Sequence, residues 1–366
     1  MPTAQLQAKV KVLSLDRQKF LTILRLVNQI DFSGAKLLKV ANFLLIEIRE
    51  GKLYITASDM TSTVKDCYGE VDFDEMKFIF PTDILYHIVS TSTTDQIKIK
   101  RDPKGNFTIN ANGTYKIQAI TEEFVFPDLD TKCDIFHTFE EGEIRHCWSK
   151  VSVGTSQDVT KPIYSAICFD GNFCATDGRY AAAYLYGDKK FDPVLLHKSV
   201  GALISSLEGK VDVGLSPEKH VIFRSQKTGS IVITRQILGV FPDYRKLFEK
   251  FNFTDFFSVS KDELGKSLDR LSIFTNVETG ALNFKVDKAK NVLTLIGTNN
   301  NEGSEVLPLL EYQGPDEFSA ILNVGRVRDS LSSLDGDKCK MMFKGENPIT
   351  VLDNKIWIVI TQLAQR

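Results

Sequence analysis

The sequence predicts an α+β protein built from three repeated domains, each with two helices packed on antiparallel sheets. Three observations predict it. The 366 residues exceed one ordinary domain. A helix–strands–helix–strands pattern returns at intervals of about 120 residues, the internal repetition that must be sought before any other pattern. Short phrases return with it, as in Ser205-Ser206-Leu207-Glu208-Gly209 and Ser332-Ser333-Leu334-Asp335-Gly336. The expected domains are 1–130, 131–250 and 251–366, each large enough to have its own core.

The first helix of each domain is read from one apolar stripe at helical spacing. These stripes are Phe20, Ile23, Leu24, Val27 and Ile30 in a helix from Asp16; Ile144, Cys147, Trp148 and Val151 in one from near Glu140; and Leu264, Leu268 and Leu271 in one from near Lys261. Alternating runs then predict hairpins that end in Ser58-Asp59, Thr176-Asp177 and Thr298-Asn299. A second helix follows in each domain. In the first it opens at Pro81, with Ile84, Leu85 and Ile88 expected to face inward. In the others it stops at the glycines of the repeated Ser-Ser-Leu phrase.

Composition narrows the function classes. A net charge of −2 is unlike that of a protein that merely coats nucleic acid, so any DNA contact requires a local gathering of Lys and Arg. No apolar run approaches the ~18 residues of a membrane-spanning helix, and the start lacks a secretory layout. The six cysteines form no CxxC pair and no Cys/His cluster, so they are expected as buried free thiols, with no metal site and a cytoplasmic location. Phosphate-loop, dinucleotide, nucleophile-elbow and zinc-protease motifs are missing, the five histidines lie far apart, and adjacent carboxylates such as Glu140-Glu141 do not converge. The chain is therefore expected to be no enzyme, with no catalytic residue and no cofactor. The first helices carry cations opposite their apolar stripes: Arg17 and Arg25, then Arg145 and Lys150, then Lys266 and Arg270. Lys198, Arg326 and Arg328 are assigned to the second helices. A lone cation on a helix is ordinarily just solvated; repetition across three domains favours a shared cationic surface.

Several stretches resemble the bacterial sliding clamp family, the beta subunit of DNA polymerase III. They are Ala175-Thr176-Asp177-Gly178-Arg179-Tyr180-Ala181-Ala182, Phe241-Pro242-Asp243-Tyr244-Arg245, Phe126-Pro127-Asp128-Leu129, Gln157-Asp158-Val159 through Lys161-Pro162-Ile163, and Ser272-Ile273-Phe274-Thr275-Asn276. They fall in order along the whole chain. The family's middle-domain His and its Pro-containing C-terminal tail are absent, which marks a divergent member.

The resemblance implies a ring-forming homodimer of three-domain subunits that encircles double-stranded DNA without reading its sequence. Such a ring would tether a DNA polymerase and be opened by a clamp loader. The implied DNA-contacting residues are Arg25, Lys36, Lys39, Arg145, Lys150, Gln157, Lys161, Lys198, Lys266, Arg270, Arg326 and Arg328. A cleft for a short partner peptide is implied at Tyr164, Thr176, Gly178, Arg179, Ala181, Pro242, Lys246, Leu247, Ile358, Ile360 and Gln362. The dimer seam is implied at Tyr115 and Ile117, on an edge strand, against Ile273 and Phe274. The alternative is a non-catalytic β-rich structural or ligand-binding repeat protein, which has no need to gather cations on successive helices.

Overall fold

The computed structural model describes residues 11–30, 43–118, 120, 126–158, 160–187 and 191–364. Its first stretch forms β1 (Val12–Asp16), α1 (Arg17–Val27), β2 (Phe43–Arg49), β3 (Lys52–Ser58), β4 (Ser62–Glu70), β5 (Met76–Pro81), α2 (Thr82–Thr91), β6 (Gln96–Arg101), β7 (Phe107–Asn110) and β8 (Thr114–Ile117). The second forms β9 (Asp134–Phe139), α3 (Glu143–Val151), β10 (Ala166–Phe169), β11 (Phe173–Thr176), β12 (Tyr180–Tyr184), β13 (Val194–His197), α4 (Val200–Ser205), β14 (Val211–Leu215), β15 (Val221–Ser225) and β16 (Ile231–Thr234). A short helix, α5 (Tyr244–Lys250), comes next. The third stretch forms β17 (Asp255–Ser260), α6 (Lys261–Leu271), β18 (Ala281–Asp287), β19 (Val292–Thr298), β20 (Glu302–Pro308), β21 (Glu311–Gln313), β22 (Glu317–Asn323), α7 (Val324–Ser333), β23 (Lys338–Phe343), β24 (Ile349–Asp353) and β25 (Ile356–Ile360). With α5 and β21 set aside, one order appears three times: strand, helix, four strands, helix, three strands. The fold is α+β with antiparallel sheets, as the sequence predicts.

Each repeat deals its eight strands into two sets of four. The first strand joins the last three, as in β1-β6-β7-β8, and the middle four make the other set, as in β5-β2-β3-β4. Sets from neighbouring repeats then fuse by the same edges. The fourth strand of the first repeat, β4, pairs antiparallel with the eighth of the second, β16, to give an eight-stranded sheet. Likewise β12 pairs with β25, and with β21 added beyond β17 this gives a nine-stranded sheet. Two four-stranded sheets remain, one ending at β8 and the other at β20.

The described residues fall into two compact units, one within Met1–Ile144 and Ser199–Arg235, the other within Arg145–Lys198 and Gln236–Arg366. This division cuts the middle repeat: β9 and β14 to β16 belong to the first unit, β10 to β13 to the second. In the first unit, α1 lies against α2 with Phe20, Leu24, Val27, Leu85 and Val89 fully buried or nearly so. In the second, Leu264, Leu268 and Leu271 of α6 share a core with Val327 of α7, Phe284 of β18 and Ile358 of β25. Polar caps start α1 and α7. Asp16 accepts from the Lys19 N–H at 2.8 Å, and Asn323 accepts from that of Arg326 at 2.9 Å; such a cap is worth about 1 kcal/mol.

Three sequence expectations need correction. Pro81 is the N-cap residue of α2 and does not sit in its first turn, and Ile84 is 44% exposed because the buried stripe runs through Thr82, Leu85, Ile88 and Val89. Lys198 lies in the turn ahead of α4, outside the helix. Of the six cysteines, Cys67 is exposed and Cys133 half-buried, and only Cys147, Cys168, Cys174 and Cys339 are buried thiols.

The join between β4 and β16 contains a buried carboxyl. The Ser230 hydroxyl donates to Asp66 at 2.5 Å and the Cys67 N–H donates at 2.7 Å, yet burial outweighs both bonds and raises the Asp66 pKa above its usual 3.8. A raised folded-state pKa means that the folded chain holds its proton more tightly, so stability falls as pH climbs from 3.8 through the raised value. Asp66→Asn keeps the acceptor for Ser230 without the charge. Thermal unfolding should show a higher midpoint for this variant at pH 7 and no gain below pH 3.8; a lower midpoint at pH 7 would contradict this reading.

Candidate functional site

The cleft begins with the hairpin that joins β11 to β12. The Thr176 hydroxyl donates to the Tyr180 carbonyl at 2.8 Å and accepts from the Gly178 N–H at 3.0 Å. The Asp177 carboxylate accepts from the N–H groups of Arg179 and Tyr180 at 2.8 and 2.7 Å. These bonds hold Gly178 at φ +90°, a backbone suited to glycine. A Cβ there would lie 3.3 Å from the Tyr164 ring, so the glycine also admits that ring against the turn.

Against this turn pack the end of β25 and the loop before α5. The Thr361 N–H and hydroxyl both donate to the Arg179 carbonyl, at 3.1 and 2.6 Å. Asp243 caps α5 and pairs with Lys246 at 3.0 Å. Below, the Tyr244 hydroxyl donates to buried Asp170 at 2.8 Å and Arg245 pairs with the same carboxylate at 2.6 Å. Burial first, then the bond to Asp170, pushes the Tyr244 pKa up, while that bond raises Arg245, so the phenol stays neutral and the guanidinium charged. This network pins α5 to the strands.

The result is a cleft of about 370 Å³ lined by Tyr164, Thr176, Gly178, Arg179, Tyr180, Ala181, Pro242, Asp243, Tyr244, Leu247, Phe251, Pro348, Val359 and Thr361. Seven of the residues expected for it are therefore together: Tyr164, Thr176, Gly178, Arg179, Ala181, Pro242 and Leu247. Four are not. Ile358 and Ile360 are 0% and 1% exposed and face the larger core of α6 and α7, because successive strand residues point to opposite faces. Val359, which pairs with Ala181, takes the cleft side. Gln362 is spent on the carbonyls of Gly345 and Asn347, at 2.8 and 2.7 Å, and Lys246 points to Asp243. Tyr244 stood within the quoted Phe-Pro-Asp-Tyr phrase and was legible as a cleft residue; Pro348 and Phe251 have no local signal. The cleft has apolar walls and, at its rim, the exposed Arg179, which has no ion pair among the described residues. Such a shape suits a short apolar peptide segment with a polar group to fix its direction.

The cations fall into two groups. Arg25 is exposed on α1 without an ion pair to any described residue; Arg145 is exposed on α3; Gln157 and Lys161 are exposed, with Lys161 6.0 Å from the Tyr164 ring centre. Lys150, Lys198 and the cations of the third repeat have the following partners. Lys150 is 8% exposed and pairs with Asp335. Lys198 donates to the Ser156 carbonyl at 3.3 Å, and burial lowers its pKa. In the third repeat, Lys266 pairs with Asp262, Arg270 grips Glu305 with two bonds of 2.6 Å, Arg328 pairs with Asp269, and Arg326 pairs with Asp177 and covers the Tyr180 ring. Lys36 and Lys39 lie outside the described residues. Even so, the six helices of the repeats carry ten basic and six acidic side chains, a net +4 in a chain of net −2.

The expected seam residues lie on an edge strand, β8, and on the 3₁₀ turn that follows α6. Tyr115 and Ile117 are on β8, with Tyr115 39% exposed. Ile273 is 73% exposed on a 3₁₀ turn, whereas Phe274 is half-buried over Gly297 and Gly303 of β19 and β20. Among the described residues no helix is long and apolar enough to cross a membrane, and no three His, Cys, Asp or Glu side chains gather as metal ligands.

No protein-family model and no curated protein matches the sequence. Solved structures do. The DNA polymerase III beta subunit of Thermotoga maritima aligns with a TM-score of 0.85 at 15% identity, over 97% of this chain and 100% of its own. The beta chain of Streptococcus pneumoniae gives 0.85 at 13%, over 97% and 100%. The beta sliding clamp of C. crescentus gives 0.82 at 17%, over 97% and 99%. Along nearly its whole length, the chain has the fold of the DNA polymerase III beta sliding clamps.

Proposed function

We propose that the chain is a sliding clamp: a non-catalytic protein that closes with a second copy around duplex DNA and tethers a polymerase to it. The observation that carries this reading is that β8 and β20, both edge strands among the described residues, match in kind the strands that join the repeats. Inside the chain, repeats join by pairing a fourth strand with an eighth, β4 with β16 and β12 with β25. The two sheets left over end in an eighth strand, β8, and a fourth strand, β20. An open edge offers unpaired N–H and C=O groups to another chain. Two copies placed head to tail would make the same join twice and close.

The internal joins also supply a register. Ser62 at the start of β4 faces Thr234 at the end of β16, and Tyr180 at the start of β12 faces Ile360 at the end of β25. The same rule sets Glu302 at the start of β20 near Lys116 and Ile117 at the end of β8, which favours an attraction between Glu302 and Lys116. Tyr115 and Ile273 would then lose water, and burying Ile273 would contribute roughly 1.5–3 kcal/mol at each seam.

On this reading the domains are 1–130, 131–250 and 251–366, and the helices line the hole. Their net positive charge would hold phosphates by long-range attraction, with the exposed Arg25, Gln157 and Lys161 as the readiest contacts and Arg145 beside them on α3. Attraction of that kind reads no bases and leaves the duplex able to slide. The ion-paired Lys266, Arg270, Arg326 and Arg328 would contribute to the field more than to direct contacts. The 370 Å³ cleft would take the peptide by which a polymerase or a clamp loader attaches.

Two measurements test this. Loaded onto a nicked circular duplex, the chain should stay with the DNA through gel filtration and leave after a single cut of the circle; equal retention on both forms would contradict encirclement. Ile273→Asp places an unpaired charge in the proposed seam, which costs several kcal/mol, while sparing the buried Phe274. Sedimentation should show monomers for this variant where the parent chain gives dimers; intact dimers would refute the seam.

A further inference from the structure

The turn that builds the cleft has a second copy in the first unit. Between β3 and β4, the Ser58 hydroxyl donates to the Ser62 carbonyl at 3.1 Å and accepts from the Met60 N–H at 3.0 Å. The Asp59 carboxylate accepts from the N–H groups of Thr61 and Ser62 at 2.8 and 2.6 Å. The Arg235 N–H donates to the Thr61 carbonyl at 3.2 Å, as that of Thr361 does to the Arg179 carbonyl. Bond for bond, Ser58-Asp59-Met60-Thr61-Ser62 repeats Thr176-Asp177-Gly178-Arg179-Tyr180. The Phe-Pro-Asp phrase is repeated too, as Phe126-Pro127-Asp128.

The copy encloses a smaller hollow of about 100 Å³, walled by Met60, Thr63, Pro127, Leu129 and Ile233, with Arg235 and His220 on its lining. One substitution accounts for part of the difference in size. Where the larger cleft has Gly178, this turn has Met60 at φ +70°, a conformation that an L side chain rarely adopts, and its side chain is 39% exposed. A cavity of about 150 Å³ holds a benzene ring, so this hollow has room for one aliphatic side chain.

Charge decides the rest of the ligand. Arg235 is exposed and has no ion pair among the described residues. Of the neighbouring acids, Asp59 accepts from backbone amides and Asp128 lies 3.8 Å from Lys65. The unmatched cation calls for a carboxylate. We propose that this hollow is a second docking site, which takes one aliphatic side chain of an extended partner peptide together with an adjacent carboxylate on Arg235. The choice of a peptide as ligand rests on the reading of the larger cleft; the site itself rests on the repeated turn.

The probe is the blocked pentapeptide Ala-Ala-Leu-Asp-Ala, titrated into the full chain carrying ¹³C-methyl methionine, one of whose five methionines is Met60. The Met60 methyl resonance, identified by its loss in Met60→Leu, should shift saturably at millimolar peptide. Affinity should fall at least ten-fold in Arg235→Ala or when the peptide's Asp becomes Asn, and the shift should vanish when its Leu becomes Ser. Leu247→Glu, which obstructs the larger cleft, should leave the Met60 shift unchanged. No saturable shift, or one indifferent to both Arg235→Ala and the Asn peptide, would overturn the proposal. Loss of the shift in Leu247→Glu would overturn it as well, since Met60 would then be reporting on the other cleft. A Met60 shift alongside no binding at the larger cleft would uphold this site and remove the reading of that cleft.

Discussion

The structure depends on one constraint, the hydrogen-bonding demand of a strand at the edge of a sheet. Each repeat makes two four-stranded sets, and each set offers an edge whose backbone groups need partners. Within the chain the fourth and eighth strands satisfy one another across repeats. The pairing rule is the same at both internal joins, and the edge strands β8 and β20 are likewise an eighth and a fourth strand.

The clefts are by-products of the same joins. Where a fourth strand leaves its hairpin turn beside the end of an eighth, the turn, the residues that end the eighth strand and the Phe-Pro-Asp loop that ends the fourth strand's own repeat meet at one point. The local residues then decide how open the hollow is. Gly178 at positive φ leaves space for Tyr164 and a wide cleft, whereas Met60 at the same place leaves a hollow with room for a single side chain. A shared scaffold with different fillings is how a repeated fold gains distinct sites without new architecture.

Much of this was legible in the sequence, for physical reasons that also explain the misses. The stripes of α1, α3 and α6 were readable because helical periodicity is local, and all of their named residues are buried. The hairpins were readable from alternating runs that open on Gly51, Gly171 and Asn291. Strand facing was not: Ile358 and Ile360 were placed in the cleft, but the register of β25 against β12 turns Val359 toward it. Ion pairing was equally hidden. Nothing local marks Lys150 as Asp335's partner or Arg270 as Glu305's, since those partners lie far away in sequence and are brought close only by folding. The family phrases located the site, and the register was needed to assign its residues.

Whether two chains unite by the rule that unites repeats is decided by a cross-link between Lys116→Cys and Glu302→Cys, made in a Cys67→Ser background with a short bismaleimide. The expected product is a closed pair of chains with two cross-links, absent when either cysteine is omitted. Unlinked single chains, or an open ladder of polymers, would contradict it.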